Sequence, residues 1–558
     1  MDDYDAAPEG FRASIVTLHT LLVKKSPLIT PRYQRPYSWT DFEVSRLMAD
    51  LLEAYGSGRS YYFLGTIVVI EGRSPEIVDG QQRLATFTLL LAALRDRLPA
   101  DAPERALAQS MIADLVQGQT RLLLREADRA FVRLYVNTPE RFEALCQLDE
   151  QADRPSSQTA LIIAACAITT ALEAEEGLDA AAFVRFIAGG AVFNLIETND
   201  REYAPRMFTV LNETGLDLSA TDLTKSELFV RAEFNDAEAD DAGRAWDTLL
   251  DRLGRKGFDE LLSLMPAIAT RRAFQSSGDF GVFKRNFTSR VDPRQFLQED
   301  LGRYARAYEG LTSFSLDFGP KHSVDINRRA RCLANLRERH WLGVAIGFIS
   351  IHESDPALVA RFMQALERYA YAQLFNIVPV SARLARADKI YAALDDAAKL
   401  LGPGGPIMLS QGEIREMQGI FRSPFRRDHF RRRFILLRLN AALPNGEVLA
   451  PTEDATVEHV LPIKAKDAWE RAFPDAQVRE TLTHSCGNMT LLTQAQNAAA
   501  ADKLYAAKRE IYFNWPNAPL RALTATIEPI GEWTPAAIRN RTKSLMDAIE
   551  RDLGIELA

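Results

Sequence analysis

The densest polar chemistry of the chain lies between Pro451 and Tyr512. Thr456 to Ile463 (TVEHVLPI) reads as an apolar strand-like segment that delivers a Glu-His pair and stops at Pro462. Cys486 to Leu492 (CGNMTLL) reads as a Gly-Asn pair opening a second strand. Asn497 follows nine residues after Asn488, and Asp502 to Tyr512 reads as a helix that includes Lys503 and Lys508. Hydrolysis of a phosphodiester asks for a base to activate water, a cation to stabilise the transition state and the leaving oxygen, and a group that holds the base in the right tautomer. One His, one or two oxygen ligands and an orienting amide meet that demand with a single Mg²⁺-like ion. His459 is the base candidate. Asn497 is a metal-ligand candidate and Glu458 a second one, while Asn488 would fix the loop and help hold the His. A lone His at a strand end is usually just a hydrogen-bonded residue, but here the two Asn residues and the lysines follow it in the right order. His484 is the alternative His and lacks the strand-end context.

A second concentration of chemistry stands near the N-terminus. Ile77 to Leu84 (IVDGQQRL) reads as a strand that ends in Asp-Gly, followed by a helix opening with two Gln and an Arg. Helix N-termini present unpaired amide donors and a positive dipole end, which suits phosphate. Gly80 lets backbone approach a ligand, and Arg83 can offer a bidentate guanidinium. Alone, Asp-Gly before a helix is an ordinary cap. Pro31 to Trp39 (PRYQRPYSW) mixes aromatic and basic residues in a loop just before a helix capped near Thr40. Such a mixture suits base stacking or nucleotide contact, although Tyr33-Gln34-Arg35 also reads as an anchor for the N-terminal arm.

The elements that must position these groups are mainly helical. Strands are expected over Tyr61–Ile70, Glu76–Val78 and Ala191–Glu197, and helices over Gln81–Leu98 and Arg201–Leu211, with one more beginning at Asp222. From about residue 235 to 400 the pattern is almost wholly helical, and Gly402 to Pro406 (GPGGP) reads as the clearest linker. At 558 residues, two or three domains are the prior. Hydrophobic residues make up 47% and charged residues 25%, normal for a soluble globular chain. No uncharged apolar run reaches the roughly 18 residues of a membrane span. The acidic start of the chain is no signal peptide, so a cytoplasmic protein without a membrane partner is expected. Cys146, Cys166, Cys332 and Cys486 have no paired spacing, which argues against a disulfide framework or a structural zinc site. The net charge is -8, so DNA contacts would have to come from local patches. Seven arginines against one acid between Phe421 and Asn440, Arg431, Arg432 and Arg433 among them, form one such run. Arg328, Arg329, Arg331, Arg337 and Arg339 form another. Each is as readily a solvated helix face.

The C-terminal segment resembles the HNH-like nuclease domain of GmrSD-type proteins through Glu458-His459-Val460-Leu461-Pro462, Trp469, Gly487 to Leu492, Asn497 and Lys508. The resemblance implies a ββα-metal nuclease with His459 as base, a catalytic set of His459, Asn488, Asn497 and Lys508, and Mg²⁺ or Mn²⁺ on Glu458 and Asn497. Asn497 stands where many such enzymes carry a last His. The N-terminal segment resembles the ParB/sulfiredoxin-like domain of the same family through PRYQRPYSW, Phe63-Leu64-Gly65, Val78 to Arg83, Phe208, Leu211-Asn212 and Gly215 to Lys225. It implies binding and hydrolysis of a nucleoside triphosphate, GTP or another, by Asp79, Gly80, Gln81, Gln82, Arg83, Asn212, Asp222 and Lys225. Arg32, Tyr33, Gln34, Arg35 and Trp39, with Arg431 to Arg433, are expected to sense or bind DNA. The expected fold is mainly α with α/β parts, divided into a ParB-like domain over 1–232, a helical connector over 233–405 and an HNH-like domain over 406–558. The expected function is an NTP-regulated, metal-dependent endonuclease acting on modified phage or plasmid DNA, with oligomeric state left open. The alternatives are an NTP-dependent DNA-binding switch with an inactive nuclease domain, and an RNA-directed nuclease.

Overall fold

In the computed structural model of the chain, residues 11–25, 27–114, 118–149, 154–200, 220–273, 280–336, 339–375, 380–425, 429–450, 452–466 and 468–555 are described. The expected class holds: helices dominate, with small sheets in both halves. The chain forms two compact units, Met1–Glu260 with Gly278–Glu299, and Leu261–Ser277 with Asp300–Ala558. Residues 233–405, expected as a connector, are shared between the two.

The first unit contains strands β1 (Phe11–Thr17), β2 (Leu28–Ile29), β3 (Tyr62–Ile70), β4 (Glu76–Asp79), β5 (Ala113–Asp114), β6 (Gln119–Thr120), β7 (Leu122–Leu123) and β8 (Ala191–Thr198). Six of them form one mixed sheet in the order β1-β8-β3-β4-β2-β7, and β5 pairs with β6 separately. β3 runs parallel to β8 and antiparallel to β4. Successive side chains of a strand point to opposite faces. Ile67 and Val69 accordingly enter the large core, while Val68 and Ile70 join Val78 and Ile196 in a smaller cluster. A strand covered on both faces reads as an unbroken apolar run, as Ile67–Ile70 does. The large core is completed by the helices Asp41–Gly56, Gln81–Arg97, Ser156–Ala174 and Ala180–Gly190. Ser156–Ala174 corrects one expectation, because it is long and apolar enough to cross a membrane by length and composition. Its Leu161, Ile162, Ala165, Ile168 and Leu172 are buried in the core of this unit.

The second unit is a helical assembly carrying one antiparallel strand pair, β9 (Thr456–His459) and β10 (Met489–Leu492). The Gly402–Pro406 run is a hydrogen-bonded turn inside this unit rather than a boundary: Gly405 N–H donates to Gly402 O at 2.9 Å, and Arg386 Nε donates to Pro406 O at 2.8 Å. Among the described residues of the basic runs, four arginines are paired inside this unit. Arg438 Nε and Arg329 Nη1 both donate to the fully buried Glu367, each at 2.7 Å. Arg328 and Arg438 share Asp552 near the chain's end, and Arg422 pairs with Glu550 at 2.6 Å. These pairs join the helices Ser323–Ala334, Pro356–Phe375, Gln411–Arg422, His429–Ala442 and Pro535–Leu553. A buried charge left without its partner costs far more than the pair contributes. Glu367→Ala is therefore expected to destabilise the protein by about 3–5 kcal/mol. Urea unfolding would measure this, and a loss below about 1 kcal/mol would mean that the network is solvated.

Candidate functional site

β9 and β10 pair in register, with His459 opposite Met489 and Glu458 opposite Thr490. Alternation along β9 sends the Glu458 and His459 side chains to opposite faces. Glu458 meets the helix Tyr505–Phe513, where its Oε1 accepts from Lys508 Nζ at 2.6 Å and from Tyr512 Oη at 2.8 Å. Lys508 Nζ also donates to the His459 carbonyl at 2.8 Å. Burial pushes the Glu458 carboxyl up and the Lys508 ammonium down from their ordinary ranges, and each partner offsets part of the other's shift. Burial likewise drives the Tyr512 hydroxyl well up.

Asn488 fixes the far side of the same strand end. Its Oδ1 accepts from Leu461 N at 2.8 Å and Trp533 Nε1 at 3.0 Å, and its Nδ2 donates to Leu461 O at 2.9 Å and Thr483 O at 3.0 Å. Its carbonyl takes Val460 N–H at 2.9 Å. All four side-chain hydrogen-bonding positions of this amide are filled, so Asn488 pins the residues that follow His459. Asn497 stands on its own short helix, Gln494–Ala500, started by a Thr493/Gln496 capping box. Its Nδ2 reaches Thr456 Oγ1 at 2.9 Å and Val457 O at 3.1 Å. Its Oδ1 takes no hydrogen bond from a described residue and is left for another partner. The His459 and His484 rings meet edge to face, with centroids 6.0 Å apart.

In the first unit, the two N-terminal motifs bind each other. Gln81 Nε2 donates to Arg35 O at 2.8 Å, and Gln82 Nε2 to Pro36 O at 2.9 Å. Gln82 Oε1 accepts from Ser38 N at 2.9 Å, and Gln34 Nε2 donates to Val78 O at 2.7 Å. Gly80 opens the Gln81–Arg97 helix at φ +97°, and a Cβ there would stand 2.1 Å from Ile67 Cδ1. Arg83 is committed to the neighbouring strand. Its guanidinium donates to Leu64 O at 2.5 Å and Thr66 O at 2.7 Å, bracing the bulge at Gly65, and sits 3.4 Å from Asp79 Oδ2. Those two carbonyls take one N–H from each terminal nitrogen of the Arg83 guanidinium. Asp222 and Lys225 arrive on the helix Ala220–Ala232; Asp222 pairs with Arg255 at 2.9 Å, and Lys225 Nζ with Asp247 at 2.9 Å. Burial lowers Lys225 well below the usual lysine range, aided by the nearby Arg125. Arg35 lies within electrostatic reach of both Asp79 and Asp222. Asn212 lies outside the described residues.

The expected DNA contacts are dispersed. Gln34 is buried, Trp39 packs against the core, and Arg32 pairs with Asp240, while Tyr33 is half-buried. Arg432 is only 8% exposed, and Arg433 donates to the carbonyls of Ala455 and Glu453. Arg431 is on the helix His429–Ala442, and its side chain is outside the description. Three contributors were not anticipated. Arg125 and Asp128 line the cleft beside Arg35, and Arg541 holds the Gly487 and Met489 carbonyls at 2.7 and 2.8 Å. The Thr493-to-Gln496 spacing was the available signal for the Asn497 helix; a single arginine in an amphipathic helix gives none.

Asn488→Asp keeps the shape but turns two donors toward carbonyls into acceptors. It is expected to cost about 1–3 kcal/mol for each group left unmet, read from the thermal unfolding midpoint. Unchanged stability would remove the pinning role.

Two family models match the chain: the GmrSD restriction endonuclease N-terminal domain over residues 18–229 and the GmrSD restriction endonuclease C-terminal domain over 417–548. No curated protein matches it. The first match ends just after Lys225, and the second contains β9, β10 and the helices with Asn497 and Lys508. Together they span more than half of the residues, in the order of the two sites, and the chain belongs to the GmrSD restriction endonuclease family.

Proposed function

We propose that this restriction endonuclease is regulated by a nucleoside triphosphate, depends on Mg²⁺ or Mn²⁺, senses modified DNA and nicks or cuts it in phage defence, with His459 as general base. The observation that carries the reading is the presentation of His459. Its strand end is held at the carbonyl by Lys508 and just beyond by Asn488, and Asn497 is tethered two residues upstream with its Oδ1 unspent. The strand, loop, strand, helix order supports an HNH-like nuclease domain. The mixed sheet with its Asp79-Gly80 strand-to-helix junction supports a ParB-like nucleotide domain in the first unit.

Among the described residues, no three His, Cys, Asp or Glu side chains cluster as a metal cage. The residues instead fit a hard cation held by one or two protein oxygens and completed by water and substrate phosphate. Asn497 Oδ1 fits that role; Glu458 would have to share a carboxylate that already accepts from Lys508 and Tyr512. Such an ion, when bound, neutralises charge on the scissile phosphate and its leaving oxygen. His459 takes the proton of the attacking water, Lys508 and Asn488 keep its strand end still, and Glu458 balances the buried ammonium. The nucleotide, GTP or another, binds in the first unit, where Asp79, Gln81 and Asp222 stand near Arg35 and Lys225 pairs with Asp247. A binding switch with an inactive C-terminal domain is the second reading. It is favoured by the burial of His459, which is 8% exposed.

Supercoiled plasmid in unmodified, glucosylated and phosphorothioated forms, incubated with Mg²⁺ or Mn²⁺ and with or without NTP, separates the two. Cleavage of one modified form is expected, and His459→Ala should lower its rate by about 10²–10⁴-fold while NTP hydrolysis persists. Cleavage surviving in that variant would remove the base assignment, and DNA binding with no cleavage of any form would favour the switch. Asn497→Ala should raise the Mn²⁺ concentration for half-maximal cleavage at least about tenfold, the loss typical even of outer-shell metal partners. An unchanged Mn²⁺ titration would take Asn497 out of the ion's coordination.

A further inference from the structure

β1 is an outer strand of the mixed sheet, paired on one side only, with β8. Among the described residues, no backbone group bonds across its other side. Edge strands offer their unpaired N–H and C=O groups to any strand that arrives, and folds usually blunt them with proline, lysine, a bulge or a short length. β1 carries none of these devices. It runs for seven residues without proline or lysine and pairs with β8 without a shift of register. Its one charged residue, Arg12, stands opposite Glu197 of β8. Two large apolar side chains on it face water: Ile15 is 67% exposed and Phe11 39%.

Alternation puts Phe11, Ala13, Ile15 and Thr17 on one face of the strand. The other face, with Ser14 and Val16, stands beside Leu195 and Phe193 of the large core. The sequence FRASIVT is self-complementary when two copies run antiparallel about Ser14. Ile15 of one copy then stands opposite Ala13 of the other, Phe11 opposite Thr17, and Arg12 opposite Val16. A bulky residue meets a smaller one at each apolar position, and no charge meets its like. The diagonal neighbours of Ile15 are Phe11 and Ile15 of the second copy, which is the kind of cross-strand contact that stabilises a sheet. The flanking charges agree. Asp2, Asp3, Asp5 and Glu9 precede β1 in sequence, while Lys24 follows it exposed and Lys25 follows it paired with Glu197. Within one copy the two ends of the strand are about 20 Å apart. Antiparallel pairing sets the acidic start of each strand beside the basic end of the other.

We propose that β1 is a docking edge for a second copy of this chain, the two strands pairing antiparallel about a two-fold axis at Ser14 and joining two mixed sheets into one. The same patch serves on both copies, so the contact closes on itself and makes a dimer, where a head-to-tail contact would make a fibre. The pairing stands apart from the cleavage and nucleotide readings above and holds or fails without them.

Sedimentation velocity of the full-length protein over about 0.1–100 μM tests this, with a monomer–dimer equilibrium as the expected result. Ala13→Glu combined with Ile15→Glu sets carboxylates against each other across the pair and should raise the dimer dissociation constant at least about tenfold. Ala13→Lys combined with Ile15→Glu sets opposite charges across the same pair and should bind at least about fivefold tighter than the double glutamate variant. Both positions are exposed, so the monomer should keep its fold in each case. Ser14→Cys gives an independent reading, because each thiol would face its twin across the axis. Oxidation should link two chains in that variant and leave the wild type unlinked. A wild-type protein that stays monomeric throughout would overturn the proposal. A dimer whose dissociation constant is the same in every variant would place the contact elsewhere and overturn it too, and open-ended oligomers would overturn the closed two-fold pairing.

Discussion

The geometry around His459 depends on one ammonium group that has no route to water. Lys508 is fully buried, and taking a charge of that kind out of solvent costs several kcal/mol unless acceptors stand in place. Glu458 Oε1 and the His459 carbonyl are those acceptors. The helix Tyr505–Phe513 therefore cannot turn about its axis without stranding the charge, and β9 cannot slide without losing its partner. β9 in turn fixes β10 through their four paired residues, and β10 follows directly from the Gly487-Asn488 turn. Arg541 closes the circuit by holding carbonyls on both sides of Asn488. A single buried pair thus sets the position of residues scattered over about eighty positions of sequence.

Paired buried charge also explains why a chain belonging to a DNA-cleaving family can be acidic. Among the described residues, Arg328, Arg329, Arg422, Arg433 and Arg438 of the two basic runs are held by Glu367, Asp552, Glu550 and main-chain carbonyls of their own unit. Arginine suits this work because its planar fork can satisfy two acceptors at once. Sequence reading counts charges along the chain and is blind to which face of a helix they occupy once the helix is packed on several sides.

Much of the fold was legible where periodicity was strong. β3, β4, β8 and the Gln81–Arg97 helix stand within a residue of where the pattern placed them, while β9 ends at His459, short of the expected stop at Pro462, and β10 begins at Met489, after a 3-10 turn over Cys486–Asn488. The two-residue strands β2 and β7 were not legible, because two residues carry no period, and β1 was hidden by its half-exposed edge position. Within the sites, the motif residues were legible as residues, and the partners they take in the fold were not. Asp-Gly-Gln-Gln-Arg reads equally as a ligand cradle and as a brace, and only the distance from Arg83 to the β3 carbonyls separates the two for that residue. Asn488, read from the sequence as a fixer of the loop, bonds Leu461, Thr483 and Trp533. The Arg125–Asp247 ion pair was invisible because its two partners lie more than a hundred residues apart in the sequence.

The clasp between the Gln81-Gln82 pair and the loop Gln34–Ser38 has a consequence for how such a loop can diversify. Both glutamines address main-chain atoms: the carbonyls of Arg35 and Pro36 and the amide of Ser38. Every residue supplies a carbonyl and all but proline an amide, so those three contacts place little demand on the side chains at positions 35, 36 and 38. The scaffold grips the path of the loop and leaves its lettering open. New side chains at these positions would leave the grip of the helix beneath intact, so the path of the loop is set separately from the identity of its residues.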